Sequence, residues 1–408
     1  MAEAMVIVGA GEAGARAAIA LRETNWAGPI TLIGEEAHPP YERPPLSKAV
    51  MTSEESPSAP FILREGQLNE QNITFERGAE ATAIDRGAHS VTLADGRILR
   101  YERLLLATGS TARRLQLPVA HGVLYLRRFD DALAIRSRFR PGGRLVVIGG
   151  GFIGLELAAS ARTRGVGVTL LELAPRLLTR GVSSAMAEKI AAKHRDAGVD
   201  LRVGVSLAAI ESDGDGNSVL LSDGARIQCD CVVAGIGAAP ETRLAEKAGL
   251  AIENGIRVNA QLRTDDLDVY AAGDCCSFPH PLYADRRIRL EAWRNAQDQA
   301  NVVARNLIGG EETYKTVPWF WSDQYDETLH IAGLVDEGSS TVRRDLGDAA
   351  LEFRLADDGR LVAASGFGPI SRVARDVRLA EMLIAQQARP SAAALAAPDV
   401  KLKSLLAS

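Results

Sequence analysis

The stretch from Met5 to Gly109 recurs in altered form from Leu145 to Gly237, and each copy opens with the same spacing of glycines. The first opens Met5-Val-Ile-Val-Gly9-Ala-Gly11-Glu-Ala-Gly14, the second Leu145-Val-Val-Ile-Gly149-Gly-Gly151-Phe-Ile-Gly154. Each reads as a short apolar strand running through G-x-G-x-x-G into a helix. In that context the glycines make a tight turn, let the backbone approach a pyrophosphate and let helix pack on strand, while the helix N-terminus holds the phosphate charge. Two such units on one chain point to two nucleotide cofactors and a relay of electrons between them.

Each copy continues with a second strand ending in acid, Ile30-Thr-Leu-Ile-Gly-Glu35 and Val168-Thr-Leu-Leu-Glu172. The distances from Gly9 and Gly149 are near the roughly 20 residues expected of a carboxylate that hydrogen-bonds a ribose. A solvated strand end is the alternative for either acid. Further on, Gly78-Ala-Glu-Ala81-Thr-Ala-Ile84 matches Gly204-Val-Ser-Leu-Ala-Ala-Ile210, and Ser90-Val-Thr-Leu-Ala-Asp95-Gly96 matches Ser218-Val-Leu-Leu-Ser-Asp223-Gly224. Both read as strand, Asp-Gly turn, strand. The copies close on Leu104-Leu-Leu-Ala-Thr108-Gly109 and Val232-Val-Ala-Gly235-Ile-Gly237, where glycine lets the chain cross close to bound cofactor.

The 408 residues, 46% of them hydrophobic, suffice for two or three domains with their own cores. No apolar run reaches the roughly 18 residues of a membrane helix, and a first strand starting at Met5 leaves no room for a cleavable signal, so a cytoplasmic protein without membrane contact is expected. A net charge of −5 argues against nucleic acid. Arg286, Arg287 and Arg289 cluster in one loop, and Arg372, Arg375 and Arg378 recur at helical spacing; either set suits an acidic partner or is a solvated face. Cys229 and Cys231 lie on one predicted strand as inward-facing thiols, while adjacent Cys275 and Cys276 read as unreactive thiols beside a cofactor. The six histidines show no ligand spacing, so no protein-bound metal is expected.

The first copy carries an insertion that the second lacks, Ala37-His-Pro-Pro-Tyr-Glu-Arg43-Pro-Pro-Leu-Ser-Lys48, stiff enough to hold a side chain over a cofactor. A late motif, Tyr270-Ala-Ala-Gly273-Asp274, places an acid just after a strand, where it suits a sugar-alcohol chain. A helix with Trp293-Arg-Asn-Ala-Gln297 follows, then a compositionally different region from about Thr316. Through Arg43-Pro-Pro-Leu-Ser-Lys48, Gly149-Gly-Gly-Phe-Ile-Gly-Leu-Glu156, Tyr270-Ala-Ala-Gly-Asp274 and Pro318-Trp-Phe-Trp321-Ser-Asp-Gln-Tyr325, essentially the whole chain resembles the two-dinucleotide flavoprotein reductases. Within them it is similar to NADH-dependent ferredoxin reductases of bacterial dioxygenase and cytochrome P450 systems.

The resemblance implies an α/β fold: two Rossmann-like domains of glutathione-reductase type, for FAD and NAD, plus a C-terminal α+β domain. The expected division is 1–112 and 243–315 for the FAD domain, 113–242 for the NAD domain and 316–408 for the last. Gly9, Gly11, Gly14 and Glu35 would bind the pyrophosphate and adenosine ribose of non-covalent FAD. Arg43, Ala81, Thr108 and Gly109 would complete that site, with Lys48 near the isoalloxazine, Arg127 toward the phosphates, Asp274 on the ribityl chain and Trp293 at the pyrimidine edge. Gly149, Gly151, Ile153, Gly154, Glu172 and Gly237 would bind NADH, with Glu156 near the nicotinamide. Two alternatives stay open: Lys48 and Glu156 as a structural ion pair, and Arg128 in place of Arg127.

NADH would then deliver a hydride to the flavin, a step the cofactors perform and the protein organises. Lys48 would stabilise the anionic reduced flavin and Glu156 would orient Lys48 or the carboxamide. Disulfide reductases of this architecture need a Cys pair where this chain has Pro44, Pro45 and Ser47, so electrons leave the flavin directly. Trp321, with Trp319, would lie at the flavin's exit side, or in the core. Glu172 favours NADH, with Arg176 placed to allow weaker use of NADPH. The expectation is a monomeric FAD-dependent NADH:ferredoxin oxidoreductase (EC 1.18.1 class). It would feed a [2Fe-2S] ferredoxin, either Rieske-type or with all-cysteine cluster ligation, and through it an aromatic-ring dioxygenase or related oxygenase. The alternatives are a rubredoxin or other acceptor, and an NADH-sensing flavoprotein of the apoptosis-inducing-factor kind.

Overall fold

Both glycine blocks build the same sheet. In a computed structural model, which describes residues 4–117, 122–179, 181–212 and 216–406, the chain divides into two compact units. One comprises Met1–Arg43, Ala59–Thr111 and Ala239–Pro318, the other Pro44–Ser58, Ala112–Ala238 and Trp319–Ser408. The proline-rich insertion is thus split after Arg43, and its Lys48 half folds with the second glycine block.

In the first unit five parallel strands run in the order Val269–Ala271, Arg103–Leu106, Met5–Val8, Ile30–Gly34, Ile73–Arg77. In the second the order is Val123–Leu124, Cys231–Ala234, Arg144–Ile148, Gly167–Glu172, Asp200–Val203, again all parallel. The chain moves outward from the first strand on one side and then returns to its other side. That reversal opens a crevice at the carboxyl end of the first strand, where open α/β sheets bind ligands. The edge strand comes from downstream of the copy in the first unit and from upstream in the second. Central strands are buried on both faces, as in Met5–Val8 and Arg144–Ile148, which is why they read as continuous apolar runs.

The expected hairpins form two three-stranded antiparallel sheets, Ala81–Asp85 with Ser90–Leu93 and Ile98–Arg100, and Leu207–Ser212 with Asn217–Leu221 and Arg226–Cys229. Even the irregularity is duplicated, since the register slips between Ala81 and Ala83 in one and between Leu207 and Ala209 in the other. Cys229 and Cys231 do not share a strand: one ends Arg226–Cys229 and the other begins Cys231–Ala234. Asp230 makes the corner, donating its amide to Arg144 O (2.8 Å) and accepting the Arg144 amide on Oδ2 (2.7 Å). Both thiols are nevertheless buried.

The region from Trp319 forms an antiparallel sheet ordered Trp319–Gln324, Glu327–Gly333, Leu361–Gly368, Ala350–Leu355, Ser340–Asp345. The helix Ile370–Ala385 covers it, burying Val373, Val377, Ala380 and Ile384 at helical spacing. A Cβ on Gly366 would lie 2.7 Å from Val373 Cγ1, so glycine lets this helix settle onto the sheet.

Candidate active site

The glycines of each fingerprint divide into those demanded by packing and those left open. Gly9 and Gly149 have φ of +110° and +107°, and a Cβ on them would strike the carbonyls of Ala107 and Gly235. A Cβ on Gly14 or Gly154 would strike the Gly9 or Gly149 carbonyl, so these hold helix against strand. Gly11 and Gly151 differ, because a Cβ there would meet nothing within 4 Å. They are the N-caps of the helices Glu12–Glu23 and Phe152–Thr163, neither of which has a side-chain cap. An uncapped helix start beside open space is the cradle a pyrophosphate requires.

Other features suit the same groups. Glu12 accepts from Arg16 (2.9 Å) and Gln297 (2.8 Å) on Oε1, while its buried Oε2 has no partner among the described residues and fits a cofactor hydroxyl. On the second fingerprint helix Ile153 is 44% exposed, and Leu173, just past Glu172, is 72% exposed. Each is an exposed apolar surface suited to packing against a flat ring.

The two strand-end acids are held differently. Glu35 is exposed at its strand end. Glu172 is pinned: Oε2 accepts from the Gly150 amide (2.6 Å) and Oε1 from the Ala174 amide (2.7 Å). A Cβ at Gly150 would lie 2.4 Å from Leu177 Cδ2 and 3.1 Å from Glu172 Oε2, so the site is tight against both. Arg176 does not face the carboxylate with its fork, which donates to the carbonyls of Leu177 (3.0 Å), Leu178 (3.3 Å) and Thr179 (3.0 Å). With three of its five N–H donors held by its own turn, the guanidinium is drawn away from a 2′-phosphate.

The first unit also carries Arg43, Ala81, Thr108, Gly109, Asp274 and Trp293. Arg43 donates to Glu36 Oε1 (2.8 Å) and Tyr41 Oη (3.1 Å). Thr108 Oγ1 donates to Glu241 O (2.6 Å), Gly109 turns at φ +72°, and Asp274 Oδ2 accepts from Ser110 (2.9 Å). Ala81 is half-buried and Trp293 opens the helix Trp293–Leu307. Cys275 and Cys276 are wholly buried, and burial pushes both thiols up. Arg287 is engaged with the carbonyls of Val258 (2.9 Å) and Ser277 (2.7 Å).

In the second unit Gly237 turns at φ +99°, and the amides of Arg127 and Arg128 donate to Asp131 Oδ2 (3.0 and 2.8 Å); Arg127 is half-buried and Arg128 exposed. Around Glu156 the second unit builds a polar knot. Its carboxylate, 5% exposed, receives Lys48 Nζ (3.0 Å) and Ser322 Oγ (2.7 Å) on Oε1 and Ser47 Oγ (2.5 Å) on Oε2. Three donors are what an almost buried carboxylate needs to offset its lost hydration. The Lys48 side chain keeps 21% of its surface exposed, and Nζ lies 5.6 Å from the Trp321 ring centre. Period-two alternation sorts the strand Trp319–Gln324: Phe320 packs on Phe152 (4.2 Å) and Ser322 reaches Glu156, while Trp319 and Trp321 stack at 5.4 Å. Lys48, Glu156 and Trp321, singled out from the sequence, thus meet. Ser47, Ser322, Gln324 and His194 were not singled out, although polar residues at alternate positions of an aromatic strand were a visible signal.

Residues 3–300 match the pyridine nucleotide-disulphide oxidoreductase family, and residues 319–406 match the reductase C-terminal family. The chain belongs to the pyridine nucleotide-disulphide oxidoreductases. It is 40% identical to the ferredoxin–NAD(+) reductase component of the anthranilate 1,2-dioxygenase system of Burkholderia cepacia, over 99% of this chain and 100% of that protein. It is 39% identical to a rubredoxin–NAD(+) reductase of Pseudomonas putida over 88% of this chain and 94% of that one. Among solved structures, the covalent putidaredoxin reductase–putidaredoxin complex matches with a TM-score of 0.93 and 36% identity, covering 99% of this chain and 98% of that one. A pyridine nucleotide-disulphide oxidoreductase uses FAD and NAD(P), and both glycine cradles fit such groups.

Proposed function

We propose that this protein is an FAD-dependent NADH:ferredoxin reductase. It carries electrons from NADH to a [2Fe-2S] ferredoxin that serves an aromatic-ring dioxygenase or related oxygenase. The observation that carries this reading is the nature of the segment after the first acid. Where a disulfide reductase needs a redox pair, this chain has Pro44-Pro45-Leu46-Ser47-Lys48, and its four cysteines are buried elsewhere. Burial pushes the Cys229 thiol up to about 11 and Cys231 to about 12, far from a reactive thiolate.

Bound FAD would supply the hydride-accepting, one-electron-releasing chemistry that links a dihydronicotinamide to an iron-sulfur acceptor. The chain's own residues organise that step. Gly11 and Gly151 admit the two pyrophosphates to the helix starts, and Glu35, Asp274 and Glu172 take sugar hydroxyls. Glu172 selects NADH, because a carboxylate pinned by two amides repels a 2′-phosphate. Ile153 walls the nicotinamide side, and Glu156 fixes Lys48, whose ammonium stabilises negative charge on the reduced ring. Trp321 sits where electrons leave. The protein acts as a cytoplasmic monomer.

A panel of acceptors tests this reading. NADH should reduce a [2Fe-2S] ferredoxin rapidly and leave glutathione disulfide untouched; turnover of the disulfide but not the ferredoxin would overturn it. A rubredoxin as acceptor is the second reading, favoured by the Pseudomonas relative, and the same panel separates the two.

A further inference from the structure

The Glu156 knot continues inward. Ser322 Oγ, which donates to Glu156, accepts from Gln324 Nε2 at 3.1 Å, and Gln324 Oε1 lies 2.9 Å from His194 Nε2. His194 Nδ1 lies 3.1 Å from the Tyr325 hydroxyl. Ser322, Gln324 and His194 are each 1% exposed or less. Donor directions along this chain are all determined. Gln324 spends its amide hydrogens on Ser322, so its carbonyl faces His194, which must carry its proton on Nε2 and accept at Nδ1 from Tyr325. An ionised carboxylate only accepts, so the Ser322 hydroxyl gives its proton to Glu156 and receives Gln324 Nε2 on a lone pair. The sequence of donations runs Tyr325, His194, Gln324, Ser322, Glu156, and Lys48 meets the same carboxylate from the opposite, partly exposed side.

Such a row is costly as mere filling. Three buried polar side chains on the helix Ser184–Asp196 and the strand Trp319–Gln324 would be replaced by apolar ones with little loss. What an apolar replacement would not do is hold one carboxylate oxygen in place.

We infer that Ser322, Gln324 and His194 are positioning residues for reduction by NADH, fixing the Glu156 carboxylate and, through it, the Lys48 ammonium. The C-terminal sheet thereby takes part in the pyridine-nucleotide half of the reaction. This rests on the roles proposed above for Lys48 and Glu156.

The test uses the FAD-loaded protein and Ser322→Ala, Gln324→Leu, His194→Leu and His194→Gln variants, with Lys48→Met as reference. Rapid mixing with NADH gives the limiting rate of bleaching and the Kd for NADH. Nitrogen-15 spectra of the imidazoles give the His194 tautomer independently of turnover. The expected result is a limiting rate lowered about 5- to 10-fold in Ser322→Ala, Gln324→Leu and His194→Leu with Kd within about twofold, since small displacements of positioning groups act on rate. His194→Gln, which keeps a donor for Gln324, should recover to within about twofold, and His194 should be Nε2-protonated in the parent protein. Rates within about twofold of the parent in Ser322→Ala and Gln324→Leu, with Lys48→Met slowed, would overturn the inference alone. An Nδ1-protonated His194 would do the same. An unslowed Lys48→Met would overturn the underlying reading, and the inference with it.

Discussion

Ser322 Oγ donates to Glu156 Oε1 at 2.7 Å, joining the first strand of the C-terminal sheet to the second fingerprint helix. The hydroxyl comes from the Trp-Phe-Trp-Ser strand and the carboxylate from the glycine motif, so two segments with separate family matches meet on one atom. Lys48 arrives at the same oxygen from the proline-rich segment. Three stretches of sequence converge on one carboxylate.

Replacing Lys48 by methionine removes the ammonium that faces outward from this knot. Bleaching of bound FAD by NADH should slow about 10- to 100-fold, the scale of losing one preorganised electrostatic partner. FAD content after gel filtration should be unchanged, because no fingerprint glycine is touched. Glu156→Gln should cost more in stability than Lys48→Met, as it disturbs three donors instead of one.

The glycines separate fold from binding. Gly9→Ala forces a side chain into φ +110° against the Ala107 carbonyl and should lower Tm by about 5 °C or more, or prevent folding. Gly11 has φ −78° and ψ −166°, which alanine adopts freely, and open space at its Cβ. Gly11→Ala should leave the apoprotein's Tm within about 1 °C yet weaken FAD at least about 10-fold by titration. Gly151→Ala should do the same to NADH.

The role proposed for Glu172 makes it the determinant of nucleotide choice. The parent protein should show kcat/KM for NADH at least about tenfold above that for NADPH, and Glu172→Ser should narrow the ratio chiefly by weakening NADH. Arg176→Ala should change the ratio little, since its guanidinium serves the carbonyls of residues 177–179.

Acid should weaken the second unit through His194. Burial lowers its pKa from 6.5 to about 4, the hydrogen bond to Gln324 opposing. Between those values the unfolded chain binds a proton that the folded chain does not, so stability is full above pH 6.5 and falls as pH drops to about 4. At about 1.4 kcal/mol per pH unit the loss is about 3 kcal/mol. Denaturant melts at pH 7.5 and 4.5 should differ by about this much more in the parent protein than in His194→Gln.

Much of this architecture was legible because duplication doubles every signal. The fingerprints, hairpins and closing glycines each occurred twice, and period and spacing alone placed them. Local pattern misread the corner at Asp230, where Cys229-Asp230-Cys231 joins two strands pinned by Arg144. It also left Arg176 open to the ribose phosphate, because the nearest acceptors for an arginine are often its own carbonyls. Ser47, Ser322, Gln324 and His194 escaped notice for a different reason. Their meaning lies in contacts across more than a hundred residues, as in Ser322 with Glu156 and Gln324 with His194, and a serine or glutamine has no spacing that announces its partner.

The most direct measurement is anaerobic and sequential: the FAD-loaded protein is mixed with NADH, and the reduced product is then mixed with oxidised [2Fe-2S] ferredoxin while both spectra are followed. The predicted result is fast bleaching by NADH, slower bleaching by NADPH, and prompt reduction of the ferredoxin as flavin absorbance returns. Flavin that is reduced by NADH but stays reduced on meeting the ferredoxin would contradict the account.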